Sequence, residues 1–219
     1  MDVRWFGQSA FLLTEGDRSI AIDPFGDIAA DTGRDMRFYR PVECSADLLL
    51  VTHEHADHNG VGQVAGVSQT IRSTAGRFDT DLGEVVAVAS EHDRVAGTER
   101  GPNSIFVFSL GGFRIAHFGD FGQASLRPEQ REAIGEVDVL MLPVGGGPTV
   151  GGAAAAAIAE EIRPSVLVPH HYRTPAIDFL EPPEEFLAAL GWEVIRADGS
   201  AAPVEKHPEP RVLLLGAPG

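Results

Sequence analysis

Cysteine is all but absent from this chain of 219 residues. Cys44 stands alone, which excludes an intrachain disulfide framework and the cysteine-rich structural zinc sites. Basic residues are scarce too: 17 Lys and Arg against 32 Asp and Glu give a formal net charge of −15. A chain so short of cations has little with which to neutralise phosphates, so no nucleic-acid partner is expected. Long apolar runs are missing. The opening MDVRWFGQSAFLLTEGDRS breaks its hydrophobic residues with Arg4, Gln8 and Glu15; it lacks a signal-peptide core, and nothing downstream is long enough to span a bilayer. A cytoplasmic protein without membrane insertion is the expectation. Nor does a Walker-type GK[ST] follow Gly145, Gly146 and Gly147, which read better as a tight turn after a strand.

What is present suits a globular enzyme. At 43% hydrophobic and 22% charged the composition is that of a folded protein, and the length fits one domain spanning 1–219. Short apolar runs at 3–6, 10–14 and 19–22, separated by Gly7 and by the turn signal EGDR, read as a strand meander. Further strands are expected at 46–51, 69–73, 85–90, 105–110, 113–118, 137–143, 165–168, 192–196 and 211–215. Helices are expected at 60–67, 128–134, 153–161 and 183–190, the third favoured by its alanines and stopped by Pro164. Strands first, then strands alternating with helices, imply a sheet-and-helix sandwich. Residues 23–45 lack periodicity over a length more typical of a functional loop than a connector; they read either as a lid contributing Phe38 and Tyr39 to substrate contact or as a packed surface loop.

The densest chemistry lies in THEHADHNG, which follows the buried-strand signal ADLLLV. Three histidines and an aspartate within six residues, His53, His55, Asp57 and His58, are poor core material, and imidazole with carboxylate is the ligand set that suits Zn, Mn or Fe. A strand end is a rigid platform from which a loop aims several side chains at one point. His92, Asp120 and the pair His170-His171 each close a later predicted strand. Adjacent side chains in an extended segment face opposite ways, so only one of that pair is expected to be a ligand.

The HxHxDH spacing resembles the signature of the metallo-β-lactamase superfamily. The similarity runs along almost the whole chain: WFGQSAFLL with AIDPF, RGPNSIFVF before HFGDFG, and LPVGGGPTV with VPHHYRT are similar to small metal-dependent hydrolases related to ascorbate-6-phosphate lactonases and N-acyl-phosphatidylethanolamine phospholipase D. The resemblance implies an α+β, four-layer αββα sandwich with its metal site along one edge. It implies that His53, His55 and His92 serve one metal, that Asp57, His58 and His171 serve a second, and that Asp120 bridges them. His170 then becomes a buried, hydrogen-bonded neighbour. Gln8 stands where many of those relatives carry a histidine. Asp23 is either a support for a ligand imidazole or an Asp-Pro turn, and Asn103 and Thr149 are candidates to meet substrate. Arg72, Arg77, Arg94, Arg100 and Arg173 are candidates to hold an anionic group, each more often a solvated surface arginine.

The function so implied is a binuclear hydrolase with two divalent ions per chain, Zn favoured and Mn or Fe as alternatives. Two such ions sharing a water supply hydroxide near neutral pH without a serine or cysteine nucleophile, and Asp57 or Asp120 would orient it. The substrate is expected to be a small ester, lactone, amide or phosphodiester. A ribonuclease-like member of the superfamily is the first alternative, opposed by the acidic charge; a non-catalytic metal-binding protein of the same fold is the second, opposed by the intact ligand set. A redox di-iron role is a further alternative.

Overall fold

The computed structural model describes residues 1–29 and 39–219; Phe38 lies outside them. Two sheets carry the architecture. The smaller contains β1 (Asp2–Gly7), β2 (Ala10–Glu15), β3 (Arg18–Ile22), β5 (Leu48–Val51), β7 (Gln69–Arg72) and β15 (Ala201–Pro203), in the order β15-β1-β2-β3-β5-β7. The larger contains β8 (Gly76–Thr80), β9 (Gly83–Glu91), β10 (Pro102–Leu110), β11 (Phe113–His117), β12 (Val139–Pro143), β13 (Val166–His170), β14 (Glu193–Arg196) and β16 (Arg211–Leu214), in the order β14-β16-β13-β12-β11-β10-β9-β8. A separate ribbon pairs β4 (Cys44–Ser45) with β6 (Val64–Ala65).

The smaller sheet shows why these residues form strands. Val3, Trp5, Phe11, Leu13, Ile20, Ile22, Leu48 and Leu50 alternate onto one face and join the main core, while Leu12, Ala21, Leu49 and Val51 turn to the other and pack with Val61, Val64 and Val67. Register stacks them in rows: Trp5 opposes Phe11, Phe11 opposes Ile22, and Ile22 opposes Leu50. In the larger sheet Val139–Pro143 and Val166–His170 are buried at every position, the pattern of strands covered on both sides. Three helices supply that cover: α1 (Pro128–Ile134), α2 (Gly152–Ile162) and α3 (Glu184–Leu190), whose Ile134, Ala155, Ile158, Ala159 and Phe186 enter the same core as the inner faces of both sheets. Pro128 occupies the first turn of α1, and Arg163, ahead of Pro164, ends α2 in a left-handed conformation with φ 50°.

One expected helix is not formed. Over 60–67 there is only a 3-10 turn, Val61–Gln63, followed by the short strand β6. Gly60, Gly62 and Gly66 weaken any helix here, and the Gly60 N–H is committed to Pro24 O at 2.7 Å. Besides the short ribbon strands β4 and β6, two strands of the main sheets appear that the sequence pattern did not suggest, β8 and β15. Both are edge strands, largely exposed, where no apolar alternation is required. The described flanks of the 23–45 segment pack inward, with Phe25, Ile28 and Val42 forming a small cluster with Ala10 and Tyr39. Among the described residues no helix is long and apolar enough to cross a membrane.

Chain directions bring the strand ends to one edge. β1 and β3 both run antiparallel to β2, and β5 runs parallel to β3. β9 and β11 both run antiparallel to β10, and β11, β12 and β13 are parallel. Within each sheet these strands therefore end on the same side, and the two edges are tied together by Ser104 N–H to Thr52 O at 3.0 Å and His171 N–H to Gln8 O at 3.2 Å. The join is close. A Cβ on Gly122 would collide with the backbone of His92 and Asp93, whereas one on Gly62 would meet nothing. Gly122→Ala is expected to cost about 1–3 kcal/mol by overpacking, seen as a fall of several degrees in the thermal midpoint, while Gly62→Ala leaves the midpoint close to that of the parent. Equal melting curves for the two variants would refute the tight join.

Candidate metal centre

Each chemistry-bearing side chain follows the C-terminal end of a strand. Gln8 and Ser9 follow β1, Asp23 follows β3, and Thr52 to His58 follow β5; His92 follows β9, Asp120 lies just beyond β11, and His171 is the residue after β13. This is where parallel strands present ligands to a crevice. Two groups result. His53, His55 and His92 bring ligand atoms within 4.8 Å of one another, and so do Asp57, His58, Asp120 and His171. The seven residues expected as ligands thus lie close together, three in one group and four in the other.

Asp120 stands between the sets. Its Oδ2 lies 3.2 Å from His92 Nε2, 3.3 Å from His58 Nε2 and 3.3 Å from His171 Nε2. His53 Nε2 and His55 Nδ1 are 3.1 Å apart, and the His53 ring is 4.1 Å from that of His58. The pair His170-His171 divides, but not by alternation within a strand, because only His170 is extended. β13 ends at His170, and His171 takes φ 51°, turning its ring to Asp120 while His170 Nδ1 faces Ser9 Oγ at 3.2 Å.

The outer contacts settle which nitrogens face the cluster. Thr52 Oγ donates to Asp23 Oδ2 at 2.7 Å, so at 3.1 Å it accepts from His53 Nδ1. His92 Nδ1 donates to Pro148 O at 3.0 Å. In both rings Nδ1 is thereby engaged outward and Nε2 is the nitrogen that faces the cluster. Asp23 is fully buried, accepts the Thr52 N–H at 2.7 Å and lies 3.1 Å from His58 Nδ1; of its two readings, the support for a ligand-set imidazole is the one observed. His117, which no sequence motif singles out, backs Asp23 at 3.4 Å and stacks on His170 with ring centroids 5.0 Å apart. Ser9 is likewise unmarked in the sequence. It donates to Asp120 Oδ1 at 2.8 Å, and nothing in a serine of a turn announces that contact.

Several other candidates serve the scaffold. Asn103 accepts the Asp120 N–H and donates to Ser90 Oγ and Phe118 O, and Thr149 donates to Gly146 O; both hold backbone turns. Gly146 and Gly147 have φ near 60°, as a tight turn requires. Arg72 pairs with Glu54, Arg77 with Glu84, and Arg173 Nε donates to Leu180 O. Arg94 and Arg100 are exposed on the loop after His92.

The electrostatics call for a cation. Burial alone would raise Asp120, yet His171 and His58 beside it hold it well below the usual carboxylate range. Asp23 and Asp57, also pushed up by burial, are likewise brought down by His58. His58 itself would be lowered by burial, but Asp120, Asp57 and Asp23 raise it well above an ordinary imidazole. His53 is pushed down to about 3 by burial and by His58, and His55 and His171 are lowered chiefly by burial. The carboxylates of Asp23, Asp57 and Asp120, all held down, outnumber the one imidazole they raise, His58, and an excess of carboxylate charge beside imidazole nitrogens fits a divalent cation.

The fold and site together define an α+β sandwich of the metallo-β-lactamase type with a His/Asp metal-binding cluster at its edge. The chain belongs to the family described as Beta-lactamase superfamily domain, which matches residues 2–171. It is 33% identical over 216 residues to the UPF0173 metal-dependent hydrolase of Thermococcus kodakarensis, covering 86% of this chain and 92% of that protein. It is also 33% identical over 198 residues to a UPF0173 metal-dependent hydrolase of Thermus thermophilus, covering 80% and 84%. A crystal structure from Thermotoga maritima, assigned as a zinc-dependent hydrolase of the metallo-β-lactamase superfamily, superposes with a TM-score of 0.76 at 28% identity, covering 98% of this chain and 97% of that one. The relatives and the cluster support a metal-dependent hydrolase that uses divalent metal.

His58 makes this site pH-dependent. Its pKa is raised in the folded protein, so without a cation the ring keeps its proton across neutral pH, and a metal ion must displace it. Zn²⁺ binding is therefore expected to release about one proton and to strengthen as pH rises toward the His58 value. Titration calorimetry in buffers of different ionisation enthalpy measures the release; a binding enthalpy independent of buffer would contradict it.

Proposed function

We propose that the chain is a binuclear metal-dependent hydrolase of a small ester, lactone, amide or phosphodiester, with Zn as its metal and Mn or Fe as substitutes. The observation that carries this reading is the position of Asp120 Oδ2, within 3.3 Å of His92 from the first set and of His58 and His171 from the second. His53, His55 and His92 would hold the first ion and Asp57, His58 and His171 the second, with Asp120 the carboxylate available to both. When bound, paired divalent cations lower the pKa of a shared water toward about 7 and polarise a substrate oxygen.

The chain's own groups supply the rest. Asp57 is half-buried while His58 and Asp120 are enclosed, so Asp57 is the carboxylate placed to meet an incoming water and orient it. Asp120, locked by Ser9 on one oxygen and by its own backbone N–H to Asn103, keeps the two ligand sets at a set spacing. Thr52, Pro148 and Asp23 hold three imidazoles in the orientation that aims Nε2 inward. Two neutral imidazoles and a carboxylate make a poor site for Mg or Ca and a good one for Zn. The formal charge of −15 favours a small substrate over a polyanion. Residues from both sheets share one core cluster, which supports reading 1–219 as one domain.

Elemental analysis after reconstitution is expected to give two Zn per chain. His55→Ala should empty chiefly the first site, His171→Ala the second, and the near-isosteric Asp120→Asn should weaken both with an unchanged circular dichroism spectrum. One ion or none in the parent protein would overturn the binuclear reading, as would activity on none of a panel of ester, lactone, amide and phosphodiester substrates. Specificity is assigned to the 23–45 segment, whose Tyr39 hydroxyl bonds Thr174 just beyond His171. Tyr39→Phe should change KM or kcat severalfold at unchanged metal content; identical kinetics would remove Tyr39 from substrate selection.

A further inference from the structure

The turn joining β1 to β2 is built oddly for a connector. Gly7 has φ 110° and Gln8 φ 47°, the second a left-handed conformation that costs an ordinary residue about 1–2 kcal/mol. The Gln8 carbonyl is held from two sides, by Trp5 Nε1–H at 2.9 Å and by the His171 N–H at 3.2 Å. A Cβ on Gly7 would run into the Tyr39 ring, so the turn is pinned from outside as well. Gln8 is 3% exposed. Its Nε2 donates to Asp57 Oδ2 at 3.0 Å, while its Oε1 is buried with no protein partner. Burying an unsatisfied acceptor costs about 1–3 kcal/mol, and an apolar side chain in this strained position would avoid that cost. The amide is therefore kept for its other end, and its orientation is unambiguous because Oε1 turned to Asp57 would face a carboxylate.

We infer that Gln8 is a positioning residue for the second ion: its amide N–H holds Asp57 in the ligating rotamer, and its backbone carbonyl anchors His171, without touching the first ion's set. The contacts are one-sided. Asp57 and His171 belong to the second group, whereas the supports of the first group are Thr52 on His53 and Pro148 on His92. Ser9, next in sequence, reaches Asp120 and so acts on both ions. A neutral amide suits this position because it leaves the charge balance of the carboxylates to the cation, where a lysine or arginine in its place would compete with the metal. This inference rests on the two-ion reading above.

The test measures the two Zn²⁺ affinities separately by competition with a chromophoric chelator. The ions are assigned with His55→Ala and His171→Ala, and the Co²⁺ absorption spectrum serves as a second readout. Gln8→Met keeps length and removes the donor. It should weaken the second ion roughly 10–100-fold, as loss of an outer contact to a ligand does, shift the Co²⁺ spectrum, and leave the first ion unchanged. Gln8→His, which restores an N–H donor, should recover most of the affinity, and Ser9→Ala should weaken both ions. Melting curves of the Zn-free proteins accompany each titration; should Gln8→Met fail to fold, Gln8→Leu and the rescue by Gln8→His carry the comparison. A parent protein with two ions and a Gln8→Met variant in which both affinities persist, or fall together, would overturn this inference alone. A parent protein with fewer than two would overturn it together with the binuclear reading.

Discussion

Oxygen Oδ2 of Asp120, with imidazole nitrogens of His58, His92 and His171 within 3.3 Å, is the point on which the site's geometry depends. Buried polar groups so close must find their partners in one another, and the loops that carry them do not fix that arrangement alone. They are arranged by two sheets whose strands end together. His92, Asp120 and His171 come from the larger sheet, and the His53 to His58 stretch from the smaller. Whatever shifts one sheet against the other pulls the cluster apart, and the glycines at the join, Gly119 and Gly122, have no room for a methyl group.

The cost of assembling such a cluster is visible one layer further out. Asp23, His117 and His170 are fully buried, and His170 is held far below an ordinary imidazole by burial and by His117. Among the described residues, three of the six non-glycine residues with positive φ are Gln8, Asp23 and His171. The other three, Ser73, Ala96 and Arg163, lie elsewhere in the chain; at the three beside the cluster the strain indicates backbone placed for the sake of side-chain aim. The outer residues supply direction: each takes one atom of a cluster residue and leaves the other facing in.

How much of this was legible in the sequence follows from what each residue does locally. HxHxDH stood out because three histidines and an aspartate in six residues are poor core material, whereas His92, Asp120 and His171 were reached through the family resemblance, since a single His or Asp at a strand end serves structure as often as chemistry. Asp23 was half readable, since Asp-Pro serves turns as well as ligands. Ser9 and His117 were not, because their meaning lies only in partners 111 and 94 residues away, Asp120 and Asp23. The fold divides the same way. Alternation in Val3 to Leu50 and unbroken burial in β12 and β13 gave away strands and covering helices alike. Edge strands β8 and β15 left no such trace, and three glycines undid the helix expected over 60–67.

The supports are unevenly shared, and that asymmetry has a consequence for stability. Gln8, Ser9, Asp23 and Thr52 all belong to the smaller sheet, yet Gln8 and Ser9 reach His171, His170 and Asp120 of the larger. A cation drawn to the cluster therefore joins side chains from both sheets at the same edge that these bonds already tie. Since the assembled set exists only when the sheets are docked, binding free energy at the site is also docking free energy, and any ion that prefers the folded chain stabilises it by mass action. His58 of the smaller sheet, kept protonated by Asp120, Asp57 and Asp23, already pairs with Asp120 of the larger at 3.3 Å, so a cation that binds here takes over a link across the sheets that the side chains themselves begin.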